Sequence, residues 1–189
     1  FVRIELFNSD IPEGIIRELL PRKNKLTKPA VSNIDQVLLL CTYKEPSIDL
    51  KFINKFLFLS NVLNLHTIIV FNKNDLLLKT EIKVLNKIIA RYTDIGYICF
   101  STSVLTGDNI DSLLSLCRDK FSIFAGPSGT GKSTILSRIF PLKTFITNTL
   151  SKHIQRGIHT TTHTKLLKLN DSGYIADTPG FSFVDLPLM

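Results

Sequence analysis

Cysteine is scarce and poorly spaced for structural work. Cys41, Cys99 and Cys117 are the three present among 189 residues. An odd count without C-x-x-C spacing argues against a disulfide framework and against a zinc site within this stretch. Cys41 and Cys99 sit in apolar, strand-like runs and read as packing residues, so a reducing compartment fits best. Long apolar runs are lacking too: none approaches the ~18 residues needed to span a bilayer as a helix. No initiator Met and no signal-like segment stands at Phe1, so the chain is expected to be a fragment or a processed product. Acidic residues are in the minority, 16 against 23 Lys and Arg, giving a net charge of +7. That balance favours a polyanionic partner, without separating nucleic acid from an acidic membrane surface. Apolar residues are plentiful: the chain is 44% hydrophobic and 21% charged, enough to bury the core of one ordinary domain and to exclude wholesale disorder.

The chain changes texture near residue 30. Phe1 to Lys28 holds two short strand-like runs, FVRIELF and GIIRELL, followed by PRKNKLTKP. Arg17, Arg22, Lys23, Lys25 and Lys28 concentrate charge there, either as a solvated loop or as an RNA-contacting surface. The stretch is too short for an independent domain and reads as the end of a small β domain. From Ile34 onward, apolar strands alternate with amphipathic helices. Strands are expected at Gln36 to Cys41, His66 to Phe71, Gly96 to Phe100, Phe121 to Ala125, Thr164 to Leu169 and Gly173 to Ala176. Helices are expected at Leu50 to Leu63, Thr80 to Tyr92, Ile110 to Cys117 and Lys132 to Phe140. This is the pattern of an α/β fold with one doubly wound, mostly parallel sheet of six strands. In such sheets ligands bind beyond the carboxyl ends of the strands.

The loop after the fourth of these strands reads GPSGTGKST, comprising Gly126, Pro127, Ser128, Gly129, Thr130, Gly131, Lys132, Ser133 and Thr134. It matches G-x-x-x-x-G-K-[ST] between a strand and a helix, the context that a phosphate-binding loop requires. Its glycines allow consecutive N–H groups to turn inward as an anion nest, and the next helix adds its positive end. Lys132 is then expected on the β and γ phosphates and the Ser133 hydroxyl on Mg²⁺. After the second strand comes NKND, Asn72, Lys73, Asn74 and Asp75. A carboxylate at Asp75 can accept from both N1–H and the exocyclic amine of guanine, a donor pair that adenine lacks. Lys73 can lie along the base plane and Asn72 can brace neighbouring loops. Ser101, Thr102 and Ser103 follow the third strand, where they suit presentation of backbone N–H to the guanine O6 or simple helix capping. Asp177-Thr178-Pro179-Gly180 follows the last strand: Asp177 can hold Mg²⁺ through its water shell and the Gly180 N–H can meet the γ phosphate. Residues Phe145 to His163 read as a lid. From it, Thr160 or Thr161 can close on Mg²⁺ and the γ phosphate. His159 and His163 can orient or deprotonate water. The expected Mg²⁺ set is Ser133, Asp177 and Thr161, with the adjacent Thr160 as the alternative to Thr161.

These motifs resemble the GTPase signature in a rotated order, with the guanine loop first and the phosphate loop after it. With PRKNKLTKPAVSNIDQ, KEP at Lys44 to Pro46 and SKHIQRGIHTTTH at Ser151 to His163, the chain is similar to the RsgA (YjeQ) family of circularly permuted, small-subunit ribosome biogenesis GTPases. The resemblance implies a remnant of an N-terminal OB-fold over residues 1–30, a permuted GTPase domain over 31–189, and a zinc-binding C-terminal domain that lies outside this sequence. It implies GTP/GDP and Mg²⁺ as ligands, and the small ribosomal subunit and its rRNA as partners. A monomer is expected, with no membrane association, in the cytoplasm or an organelle's stroma or matrix. Phe181 stands where Ras-like enzymes place a water-orienting Gln after DTPG, so slow intrinsic hydrolysis, stimulated by the ribosome, is expected. His159 is the expected substitute, and Asp177 to Gly180 would pass the nucleotide state to the following domain. The alternatives are a YlqF-type permuted GTPase of the large subunit, a nucleotide-dependent kinase with no use for NKND, and a GTP-binding RNA module with little catalysis.

Overall fold

The protein was analysed as a computed structural model that describes residues 1–7, 13–26, 29–141, 165–169 and 172–177. Six strands form one sheet: β5 (Gln36–Thr42), β6 (His66–Asn72), β7 (Ile98–Ser101), β8 (Phe121–Ala125), β9 (Lys165–Lys168) and β10 (Tyr174–Asp177). Their order is β7-β6-β5-β8-β10-β9. Every neighbouring pair is parallel except β10 with β9. The mostly parallel doubly wound sheet is thus as expected. All seven residues of β5 are buried, which is what the centre of a sheet covered on both faces demands.

Alternate residues of the central strands feed two separate cores. Val37, Leu39, Ile69, Phe71 and Ile123 face one side with helix α1 (Leu50–Val62) and helix α2 (Lys79–Asp94). Leu38, Leu40, Ile68, Val70 and Phe124 face the other, with α3 (Ile110–Leu116) and α4 (Lys132–Ile139). The side-chain period of two in a strand is what sends neighbours to opposite faces. Asp49 caps α1 by accepting from the Phe52 N–H at 3.0 Å, and Glu81 reaches back to the Leu78 N–H at 2.8 Å at the start of α2. Gln36 is a polar residue with no exposed surface. It is satisfied by the Leu116 carbonyl, the Ser122 hydroxyl and Lys120.

Two strands begin later than their apolar runs suggest. Gly96 has φ 96° and its N–H bonds the Thr93 carbonyl, so it ends α2, and β7 starts at Ile98. Gly173 has φ 100°, and a Cβ there would stand 2.4 Å from the Cys117 carbonyl oxygen, so β10 starts at Tyr174.

Before β5 come β1 (Val2–Leu6) and β2 (Gly14–Leu19), paired antiparallel, then a short antiparallel pair of β3 (Lys25–Leu26) and β4 (Val31–Ser32). Leu26 and Val31 are buried in the same core as β5 and α1. The Asn24 side chain exchanges two hydrogen bonds with the Ile34 backbone. Lys23 pairs with Asp35 at 2.8 Å. Burial pushes the Asp35 carboxyl up, but the hydrogen bond and charge of Lys23, with the Phe121 N–H, outweigh it and leave the pKa below the ordinary value. Cys41 and Cys117 are buried, Cys99 is half-buried and all three are free thiols. Burial raises the Cys41 pKa to about 12 despite nearby Lys132, so this thiol packs rather than reacts.

Candidate nucleotide site

Because β5, β6, β7, β8 and β10 run in the same direction, the loops that follow them emerge at one edge of the sheet. The phosphate-type loop, NKND and the Ser101–Ser103 segment are therefore neighbours in space, although 58 residues separate Asn72 from Thr130.

The loop between β8 and α4 needs glycine at two of its positions for different reasons. Gly126 has φ 132°, and a Cβ there would lie 2.1 Å from the Leu40 carbonyl oxygen of the adjacent strand. Gly131 has φ 99°, and a Cβ would lie 2.3 Å from Asn72 Nδ2. The Thr130 hydroxyl donates to the Pro127 carbonyl at 2.9 Å and closes the turn. Lys132 donates to the carbonyls of Gly126 and Pro127 at 2.6 and 2.7 Å, so its ammonium sits at the mouth of the loop it follows. Burial lowers its pKa to about 8, with Cys41 opposing the shift. Ser133 lies in the first turn of α4, half-buried, and Thr134 beside it is exposed.

Asn72 holds the site together. It is the last residue of β6 and is buried. Its Nδ2 donates to the Thr130 carbonyl at 2.9 Å; its Oδ1 accepts from the Thr102 hydroxyl at 3.3 Å and the Val104 N–H at 3.2 Å. One side chain thus connects three loops. Lys73 takes a left-handed conformation, φ 66°, and donates from Nζ to the Glu45 carbonyl at 2.7 Å. Asn74 donates to Asp108 at 2.6 Å. Asp75 accepts from the Ser103 hydroxyl.

The Ser101–Ser103 segment contributes differently from expectation. The Thr102 N–H bonds the Phe71 carbonyl at 2.8 Å and the Ser103 N–H bonds the Asp108 carbonyl at 3.2 Å. These amides extend the strand pairing and close a turn, so neither is available to a base carbonyl. The segment's contribution is its hydroxyls, Thr102 toward Asn72 and Ser103 toward Asp75.

Two features at the site have roles that their own residues do not announce. Arg138, two turns into α4, donates to the Val104 carbonyl at 2.9 Å and ties the phosphate-side helix to the base-side loop. The loop after β5, with Lys44, Glu45 and Pro46, lies between the two halves. Glu45 receives Lys73. Pro46 Cδ is 3.5 Å from where a Cβ on Gly129 would be. Pro46 is itself held by a hydrogen bond from the Thr42 hydroxyl to its carbonyl at 2.6 Å. Only the fold reveals either role, because both depend on contacts made far from their own place in the chain.

Asp177 ends β10, which pairs in parallel with β8, so its backbone leaves the sheet beside the phosphate-type loop. A serine hydroxyl and an aspartate carboxylate are the hard oxygen type that Mg²⁺ prefers. His159, Thr160, Thr161, His163, Gly180 and Phe181 lie outside the described residues.

Comparison with known proteins agrees with this geometry. The RsgA GTPase family model matches residues 19–187. The small ribosomal subunit biogenesis GTPase RsgA of Moorella thermoacetica is 42% identical over 185 residues, covering 98% of this chain and 62% of the relative. The crystal structure of YjeQ from Thermotoga maritima matches with a TM-score of 0.79 at 36% identity, covering 98% of this chain and 62% of that one. The structure of YloQ, described as a circularly permuted GTPase, matches with a TM-score of 0.76 at 28% identity, covering 98% and 58%. The chain thus spans about three fifths of the length of the relatives it matches. A phosphate-type loop and an NKND loop braced by one buried asparagine, on a six-stranded sheet matched over nearly its whole length, place the chain in the RsgA GTPase family.

Proposed function

We propose that this chain binds GTP and GDP and hydrolyses GTP as part of a factor for small ribosomal subunit maturation, acting in the cytoplasm or the equivalent organellar space. The observation that carries the reading is Asn72, which fixes the guanine-type loop and the phosphate-type loop in one rigid unit. Such a unit can hold a base and its phosphates at a set separation, which is the pre-organisation that tight nucleotide binding requires.

In this reading Asp75 accepts from guanine while Ser103 holds the carboxylate in place. The alkyl stem of Lys73, anchored at Glu45, covers the base plane. Lys132 leaves the Gly126 and Pro127 carbonyls and turns to the phosphates, exchanging two neutral acceptors for an anion. Ser133, Asp177 and Thr160 or Thr161 would hold Mg²⁺, which supplies charge neutralisation between the β and γ phosphates. Phe181 cannot hydrogen-bond water, so His159 is assigned the orientation of the attacking water when the small subunit is bound. Residues 1–30 are read as the end of a preceding β domain, and the rRNA of the small subunit as the polyanion that the positive charge meets.

The test is titration with GDP, ADP and xanthosine diphosphate on the wild type and on Asp75→Asn. An amide at position 75 offers a donor and an acceptor, which match the carbonyl and N–H edge of xanthine and mismatch guanine. We expect Asp75→Asn to lose at least ~100-fold in GDP affinity, as when a buried recognition pair is left unmatched, and to gain xanthosine diphosphate. Equal binding of ADP and GDP by the wild type would instead favour the kinase reading. For the hydrolytic half, His159→Ala should lower GTP turnover in the presence of small subunits while leaving GDP affinity unchanged; unchanged turnover removes His159 from the mechanism.

A further inference from the structure

Helix α2 carries a row of four cations, Lys79, Lys83, Lys87 and Arg91, each four residues from the last and all exposed. At 100° per residue, four residues advance the row by about 40° per step and 6 Å along the axis, so the stripe is about 18 Å long. The opposite side of the helix, Leu85, Ile88, Ile89 and Tyr92, is spent on the core shared with β5 and β6. The stripe therefore runs along the middle of the outward face.

Asp94, three residues beyond Arg91 and on the same face, forms no ion pair with the row. Among the described residues, none of these four cations takes part in an ion pair; the pairs found are Arg3 with Glu18, Arg17 with Glu5, Lys23 with Asp35 and Lys44 with Glu81. Glu81, the acidic residue nearest the stripe's start, is engaged by Lys44 and by the Leu78 N–H. Like charges at i and i+4 oppose helix formation, and Lys79 in the first turn also faces the positive end of the helix dipole. The arrangement works against the helix's own stability, whereas in the basic run at residues 17–28 Arg17 pairs with Glu5 and Lys23 with Asp35.

We infer that the α2 stripe is a docking surface for the phosphate backbone of RNA. The inference rests on the ribosomal reading above, to which it adds the surface. A regular rod of cations suits a polyanion with a phosphate every few ångströms, read without regard to base sequence. A lipid surface suits it less. A helix lying on a membrane buries its own apolar face in the acyl boundary, and that face of α2 is already buried in the protein.

The test compares the wild type with Lys83→Gln/Lys87→Gln/Arg91→Gln, which removes the charges while keeping polar side chains of similar helix propensity. Binding to purified small ribosomal subunits and to a plain-sequence RNA duplex is measured across a salt series, together with GDP affinity. We expect a loss of ~10-fold or more in RNA affinity near ~0.1 M salt and a log–log salt slope shallower by about 2 to 3, as three lost phosphate contacts require. GDP affinity should not move, and Lys83→Arg/Lys87→Arg should bind RNA as the wild type does. An unchanged RNA affinity and slope in the triple variant overturns the stripe while tight GDP binding leaves the GTPase reading standing. Stripe-dependent RNA binding by a wild type that ignores guanine nucleotides does the reverse. A wild type that binds neither RNA probe overturns the stripe, as does triple-variant loss of binding to phosphatidylserine vesicles with RNA binding unmoved.

Discussion

Lys132 shows how one side chain is poised by its surroundings. Its ammonium is buried against two carbonyls, and burial brings its pKa from 10.5 down to about 8. Between those values the folded protein binds less proton than the unfolded chain, so this residue opposes folding at neutral pH and the penalty is lifted as pH rises. For nucleotide binding the sign is reversed. A phosphate beside Lys132 favours the charged form, so binding above pH ~8 must take up a proton. GDP affinity should therefore be level with respect to this group below pH ~8 and fall by up to tenfold per pH unit above it. Titrations on either side of pH ~8, with calorimetry in two buffers of different ionisation enthalpy, would show the uptake. Lys132→Arg, whose guanidinium stays charged, should bind without this proton uptake. Gly126 and Gly131 show the complementary case, where the requirement is space: a strand carbonyl and Asn72 occupy the positions that a Cβ would need.

At the scale of the element, α2 is two different surfaces on one helix. Its inner face packs Leu85 and Tyr92, and its outer face repeats Lys79, Lys83, Lys87 and Arg91. Each like-charged i, i+4 pair costs about 0.2–0.5 kcal/mol, so Lys87→Gln, which removes two pairs, should raise the unfolding free energy by about 0.4–1 kcal/mol at low salt. The gain should vanish at high salt, where the repulsion is screened. Denaturant midpoints at the two ionic strengths provide the check, and no gain at low salt would mean that the lysines are kept apart by their rotamers. The strands carry the other lesson at this scale. Periodicity located all six, while the first residues of β7 and β10 depended on Gly96 and Gly173 in left-handed backbone, at Gly173 because the Cys117 carbonyl leaves no room for a Cβ.

The whole molecule behaves as a sheet whose carboxyl edge has been wired together. Asn72 links the loops after β6, β7 and β8, and Arg138 links α4 back to the loop after β7. Asn72→Ala would leave the Thr130 carbonyl, the Thr102 hydroxyl and the Val104 N–H without that partner, at a cost of about 1–3 kcal/mol for each buried group that finds no other. Arg138→Ala removes a bond between the same two regions. The two should couple, so a double-mutant cycle on unfolding free energy is expected to show a non-additivity of about 0.5 kcal/mol or more. Strict additivity would mean that the loops are held independently. GDP dissociation should quicken in Asn72→Ala even though Asn72 is not assigned a contact with the nucleotide.

Sequence by itself determined the parts whose physics is local. GPSGTGKST pointed to a glycine-dependent loop between a strand and a helix, which the structure has, because glycine spacing and a helix N-terminus act within nine residues. NKND after an apolar strand pointed to a carboxylate suited to guanine rather than adenine, because the donor pattern of the base leaves little choice. Alternation specified the strands and the two-faced sheet. Tertiary structure decided whatever depends on partners far along the chain: that the Thr102 and Ser103 amides are already bonded, that Pro46 lies beside Gly129, that Arg138 reaches Val104. It also decided which positive charges have acidic partners, Lys23 and Arg17 among them, and which four on α2 have none among the described residues. The physical reason is the same throughout: hydrogen bonds and ion pairs form between neighbours in space, and only the parallel sheet determines who those neighbours are.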